Sequence, residues 1–224
     1  MSRSCVLFGV DSVFSADVIE TLKRLGFTEF FGVLTGKPEW DIEGVDAVCN
    51  QDEIGVEWLS LRVVVPWVTP ALRHDRMDSA KQAGFRRFDP VIDPSAVVAS
   101  NARIGLGVFV NAGSVIGAYA SLAEGVTVNR NASVGHHTAI GGFAAIGPGV
   151  TVAARCSIGK HVRIGTGASV APGISIGSNS VIALGAAVVE NVPEGVMVAG
   201  VPAKAKRLAD PAPAPAELPA ASER

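Results

Sequence analysis

Adjacent imidazoles at His136 and His137 are the side chains best suited to move a proton at neutral pH. Between Pro94 and Val189 they share the chain with a single carboxylate, Glu124. A neutral imidazole can take a proton from an amine or hydroxyl nucleophile, so the pair supplies a general base. His136 is one candidate; His137, one coil from the cation Arg155 in the repeat described below, is the other. Cys156 is the only thiol in the same stretch. It stands where neighbouring repeats carry small residues, which predicts an inward, inert thiol and argues against a covalent acyl-cysteine.

The elements that position these residues follow a beat of six. Cut from Pro94, the chain reads PSAVVA, SNARIG, LGVFVN and onward to LGAAVV, sixteen hexads without an insertion. The fifth place is always Val, Ile or Leu, and the third is almost always small. Such a period predicts a parallel β-helix of short strands, three to a coil, with one aliphatic residue per strand pointing inward. At a strand spacing of roughly 4.8 Å the prism stands about 25 Å tall. Second-place residues turn the corners, and Gly or Asn there accept a positive φ readily. Residues eighteen apart share an edge, so Tyr119, His137 and Arg155 fall on one, and Gly125, Phe143 and His161 on another. Bulky and titratable groups are thereby confined to two edges, where a ligand, a neighbouring subunit or solvent would meet them. The uncharged run from Ile164 to Val189 would satisfy a hydropathy window for a membrane helix, but Pro172, Asn179 and the unbroken hexads exclude one.

Residues 1–90 obey a different rule. Apolar runs at Cys5–Val10 and Phe30–Leu34 flank a helically spaced segment, Ala16–Leu25, which ends at Gly26. Asp46–Cys49 and Arg62–Val65 add two strands, and Pro70–Ala83 a second helix closed by Gly84. This predicts a small, mostly parallel α/β sheet of Rossmann-like βαβ type, in which ligands bind beyond the carboxyl ends of the strands. The candidate substrate-binding residues are therefore Gly9, Asp11, Ser12, Thr35 and Lys37, although neither loop carries a phosphate-binding fingerprint. Residues 91–190 form the prism, 191–208 fold back over its last coil as a cap, and 209–224 form a mobile Pro/Ala-rich tail.

With 48% hydrophobic and 18% charged residues the chain is too apolar for generic disorder. The net charge of −2 gives no pull toward nucleic acid or an anionic membrane. The prism itself, with Arg103, Arg130, Arg155, Lys160 and Arg163 against Glu124, is cationic and suits an anionic cosubstrate. Three widely spaced cysteines and the lack of a leader-like start place the chain in a reducing, cytoplasmic setting.

Taken together, the βαβ start, the hexads, the run Ser133-Val-Gly-His-His-Thr-Ala-Ile-Gly141 and the closing Gly200-Val-Pro-Ala-Lys204 resemble the sialic-acid O-acetyltransferase-like family. Its members include acetyl-CoA-dependent N-acetyltransferases of nucleotide-linked amino sugars. The resemblance implies a homotrimer of left-handed prisms, with acetyl-CoA as cosubstrate in the groove between neighbours and the amino-terminal loops holding a nucleotide sugar. It implies direct transfer with His136 as general base and no metal. The coenzyme-binding positions it implies are Ala145, Ala154, Arg155, Leu184, Ala203 and Lys204. Two of these depart from the family pattern, since Ala145 replaces a common His and Ala154 a Gly whose backbone lies near the thioester. After the base, relatives carry Asp or Glu where this chain has His137. A carboxylate partner for His136 would then come from a neighbour's Glu124, from Asp11 or another amino-terminal residue, or be lacking.

Other readings use the same fold. A sugar O-acetyltransferase would employ the same base. A non-catalytic ligand-binding relative is suggested by the altered loops. In a γ-type carbonic anhydrase a second metal-binding His follows the first by five residues, a place occupied here by Gly141, which His137 cannot replace geometrically.

Overall fold

The computed structural model describes residues 3–38 and 41–208; the Pro/Ala-rich tail expected at 209–224 lies outside the described residues. Strands β1 (Ser4–Phe8), β2 (Glu29–Leu34), β3 (Ala47–Asn50) and β4 (Arg62–Val64) form a sheet in the order β3-β2-β1-β4. Every pairing in that sheet is parallel. Helix α1 (Ser15–Arg24) links β1 to β2, and α2 (Pro70–Gln82) follows β4, with Pro70 at the first turn, where a missing N–H costs nothing. β1 is apolar on both faces, and Cys5 to Phe8 are fully buried, as expected of a central parallel strand covered on both sides. The chain leaves β1 toward β2 and β3 on one side and returns as β4 on the other. The β1/β4 crevice at the carboxyl ends is thus the topological switch point.

From Val91 onward the hexads build a left-handed parallel β-helix. Two-residue strands occupy the fourth and fifth places of each hexad, and each pairs in parallel with the strand eighteen residues away. The first face carries Phe109–Val110, Thr127–Val128, Ala145–Ile146, Arg163–Ile164 and Val181–Ile182; the second runs from Val97–Val98 to Ala187–Val188; the third runs from Arg103–Ile104 to Ser175–Ile176. Third and fifth places both point inward, so Ala120, Leu122, Val126, Val128, Ala144 and Ile146 belong to one continuous core. The corners take left-handed backbone even where the residue is bulky: φ is 59° at Tyr119, 58° at His137, 58° at Phe143, 60° at Arg155 and 57° at His161. Those conformations are costly singly and are held because each corner N–H is bonded to the coil below, as from His137 to Ala118 O at 3.0 Å.

Beyond the last hexad, Val196–Ala199 pairs in parallel with Val181–Ile182 and so adds a rung to the first face. Lys204–Leu208 then turns back antiparallel along it. The amino-terminal sheet is fastened to the lower first face. Phe14 meets Phe109 edge-on with ring centroids 5.5 Å apart, and Arg24 Nε and Thr21 Oγ1 donate to the buried Asp93 at 2.9 and 3.1 Å. At the edge between the third and first faces, Phe143 and His161 lie beneath α2 and are not free corners. The ring of His74 stacks on Phe143 at 4.1 Å and its Nδ1 lies 3.1 Å from His161 Nε2.

Candidate active site

His136 opens a hexad and sits at the edge between the second and third faces, directly before the corner residue His137. Both side chains are exposed, and their Nδ1 atoms lie 3.0 Å apart. The ring of His137 also rests against Tyr119 one coil below, centroids 4.9 Å apart. Ala154 stands one coil above His136, and its main-chain N–H meets no acceptor among the described residues. Arg155, next to it, is exposed and unpaired among the described residues, and its N–H donates to His136 O at 3.0 Å. This edge therefore presents an imidazole pair, an unused N–H and a cation side by side. Within the chain neither carboxylate reaches His136: Glu124 pairs with Lys81 at 3.0 Å, and Asp11 accepts from Thr35 N at 2.8 Å. The group that reaches His136 is His137.

A second feature lies across the prism body, on the first face. Just above the amino-terminal sheet is a groove of about 430 Å³, lined by Val68, Thr69, Asn129, Ala145, Arg163 and Leu184 among others. Ala145 is buried in its wall, while Leu184 is 79% exposed at its rim. The sequence reading missed Asn129. Its Oδ1 accepts from Asn111 Nδ2 at 3.1 Å and from the Arg130 N–H at 2.8 Å, which fixes the amide and leaves Nδ2 as the donor with no partner among the described residues. Asn129 is 6% exposed and lines the groove, so an amide donor is held ready there. The legible signal was Asn at the sixth place of two successive coils, Asn111 and Asn129, in a position that is otherwise Gly or Ala until Val189 in the last hexad.

At the switch point, Gly9 has φ +87°, and a Cβ there would come 2.4 Å from Trp67 Nε1. Asp11 is buried and accepts from Thr35 N at 2.8 Å and Thr35 Oγ1 at 3.0 Å, so it pins the two predicted loops together. Ser12 Oγ accepts from Phe14 N–H at 3.3 Å, and Lys37 is exposed. Gly9, Asp11 and Thr35 are thus brought together, with Asp11 and Ser12 occupied in shaping the first loop, while Lys37 makes no hydrogen bond or ion pair with them among the described residues. Sequence reasoning did not find Trp67 or Arg76, whose Nε1 and Nε are buried donors without acceptors among the described residues. The Arg76 guanidinium carbon lies 5.7 Å from the Trp67 ring.

The remaining predicted positions are in the cap. Ala203 N–H donates to Ala187 O at 2.7 Å, and Lys204 pairs with Glu190 at 2.9 Å. Cys156 is 2% exposed, its thiol turned to Ala171 O at 3.2 Å. Among the described residues no group of three or more His, Cys, Asp or Glu is arranged to hold a metal, and no helix is long and apolar enough to cross a membrane.

No protein-family model matches the sequence, and no curated protein matches it. Solved structures do. The acetyltransferase domain of PglB from Neisseria gonorrhoeae FA1090, in complex with acetyl coenzyme A, is 28% identical with a TM-score of 0.83, covering 92% of this chain and 100% of that one. A mutant of perosamine N-acetyltransferase from Caulobacter crescentus, in complex with CoA and GDP-perosamine, is 29% identical with a TM-score of 0.80, covering 92% and 98%. WeeI from Acinetobacter baumannii AYE shares the fold at 21% identity and a TM-score of 0.79. All three likenesses extend through the amino-terminal sheet as well as the prism.

Proposed function

We propose that this chain is an acyltransferase that moves the acetyl group of acetyl-CoA to the amine of a nucleotide-linked amino sugar. The observation that carries the reading is His136. An imidazole stands exposed on the edge of an acetyltransferase fold, beside an unused main-chain N–H at Ala154 and the free cation Arg155. The amine attacks the thioester carbonyl as His136 takes its proton, and N–H donors stabilise the oxyanion that forms. Ala154 N–H is the donor on the edge and Asn129 Nδ2 the donor in the groove. Collapse of the adduct breaks the C–S bond and returns the proton to the coenzyme thiolate.

The parts are divided in a way that requires more than one protomer. In a triangular prism the edge carrying His136 is opposite the first face, where the groove and the amino-terminal crevice lie. A homotrimer that seats the His136 edge of one chain against the first face of the next unites base, groove and acceptor crevice. Arg155 and the cap around Ala203 and Lys204 then border the coenzyme, and Gly9, Thr35, Lys37, Trp67 and Arg76 the acceptor.

The test is to incubate the protein with acetyl-CoA and either GDP-perosamine or other nucleotide-linked amino sugars, following thiol release and the mass of the sugar nucleotide. Gain of one acetyl group on nitrogen is the expected result. Acetyl-CoA binding by calorimetry without transfer to any of them would instead support a ligand-binding relative, and acetylation on oxygen a sugar O-acetyltransferase.

A further inference from the structure

We infer that His137 is a positioning residue that selects the tautomer of His136, doing with an imidazole nitrogen what a carboxylate would otherwise do. The inference rests on the proposed role of His136 as base. A base that receives its proton at Nε2 must carry its other hydrogen on Nδ1, and an isolated imidazole in water is not fixed in that form. The Nδ1 of His137, 3.0 Å from that of His136, is the acceptor that fixes it. Two neutral imidazoles sharing an Nδ1···Nδ1 contact place one hydrogen between them, so one ring holds Nδ1–H and the other Nε2–H.

The surroundings assign the direction. His137 is held at three places: its backbone N–H bonds to Ala118 O at 3.0 Å, its φ of 58° is fixed by the corner, and its ring lies on Tyr119. The main chain of His136 is held too, by the Arg155 N–H at 3.0 Å, but its ring is contacted only by that of His137 among the described residues, through the hydrogen bond and an edge-on contact with centroids 5.2 Å apart. The anchored ring therefore orients the free one. During transfer the amine proton goes to His136 Nε2 as the C–N bond forms, the Nδ1–H of His136 stays in its bond to His137, and the Nε2 proton leaves with the coenzyme sulfur as the C–S bond breaks. His137 neither gains nor loses a proton.

The chain holds four histidines, so each ring can be assigned by single substitution in long-range proton–nitrogen correlation spectra of protein labelled with ¹⁵N-histidine. The spectra need no acceptor and are taken at a pH where the rings are neutral. The expected result is Nδ1–H on His136 and Nε2–H on His137. His137→Gly, which keeps the left-handed corner without strain, should release His136 to the Nε2–H form. His137→Asn, whose amide oxygen takes the place of Nδ1, should retain Nδ1–H. With GDP-perosamine or another accepted sugar nucleotide, His137→Gly should lower kcat about 10- to 100-fold with KM for acetyl-CoA unchanged, and His137→Asn should recover most of that loss. Nε2–H on His136 in the unsubstituted protein, or equal kcat in the Gly and Asn variants, overturns the assignment. Full turnover in His136→Asn would instead remove the base reading itself, so the two failures are distinct.

Discussion

Arg73, on α2, donates through Nη2 to the main-chain oxygen of Phe143 on the prism at 2.6 Å. The same guanidinium also reaches Gly125 O, Trp67 O, Val68 O and Ala144 O, a cradle of carbonyls with no carboxylate among them. Burial lowers its pKa to about 9, and the carbonyls hold it charged at neutral pH. Since that value lies below the unfolded one, the unfolded chain binds the extra proton only at alkaline pH, and Arg73 adds no slope near neutrality. Replacing it with Met removes every one of these bonds and strands buried acceptors. Urea denaturation should show a loss of about 3 kcal/mol, with Arg73→Lys intermediate.

Next to this cradle, His161 should make the protein acid-sensitive. Burial, then the neighbouring His74, then Arg73 and Lys160 lower its pKa, opposed by a hydrogen bond with Asn179. A folded pKa below the unfolded value means that the unfolded chain takes up the proton first. Stability is full above the ordinary imidazole range and falls as pH drops through it, until the folded group also titrates. His161→Asn, which tolerates the left-handed corner, should flatten the decline in Tm between about pH 7 and pH 5. An unchanged slope would assign the acid sensitivity elsewhere.

The prism was legible because its period is strict: every fifth-place aliphatic and every left-handed corner from Gly107 to Gly185 stands where the hexads put it. The four parallel strands and two helices of the amino-terminal sheet were legible too, from apolar runs bounded by Gly and Pro. The contacts of single side chains were not. Phe143 and His161 read as corners open to solvent or a ligand and are covered by α2, because no local pattern reports what packs across eighty residues of chain. Asp11 read as a ligand group and is spent on Thr35. Asn129, Trp67 and Arg76 escaped notice because an unsatisfied N–H is a property of surroundings, not of residue type.

Arg155 combines a strained backbone with a charge that is unpaired among the described residues, so stability and binding should separate on substitution. It holds φ 60° at an exposed corner. Arg155→Gly relieves the left-handed penalty and should raise stability by about 1 kcal/mol. If the cation faces a coenzyme phosphate, the same change should weaken acetyl-CoA binding about 10-fold in calorimetry. A gain in stability with unaltered affinity would confine Arg155 to the corner.

Asn129 should matter to rate more than to binding. Its Nδ2 is oriented by the amide ladder with Asn111 and lines the groove, the setting in which a fixed donor acts on developing negative charge. Asn129→Ala should lower kcat about 100-fold with little change in KM for acetyl-CoA. Asn129→Asp, which presents an acceptor and a negative charge instead, should be worse. Equal KM and kcat effects would recast Asn129 as a binding residue.

The separation of His136 from the first face makes a prediction that no single variant can test. If each site takes its base from one protomer and its groove from the next, two inactive chains can repair one another. His136→Asn subunits retain the groove, and Asn129→Ala subunits retain the base. Co-refolded in equal amounts into the proposed homotrimer, they would give sites that work when the base comes from an Asn129→Ala chain and the groove from a His136→Asn chain. Random assortment places that combination at about a quarter of all sites, so the mixture should recover about a quarter of the activity of the unsubstituted protein. Sites built within one protomer would recover none, because every chain then carries a defect of its own. Sedimentation of the mixture, checked against each parent alone, separates failure to assemble from failure to complement.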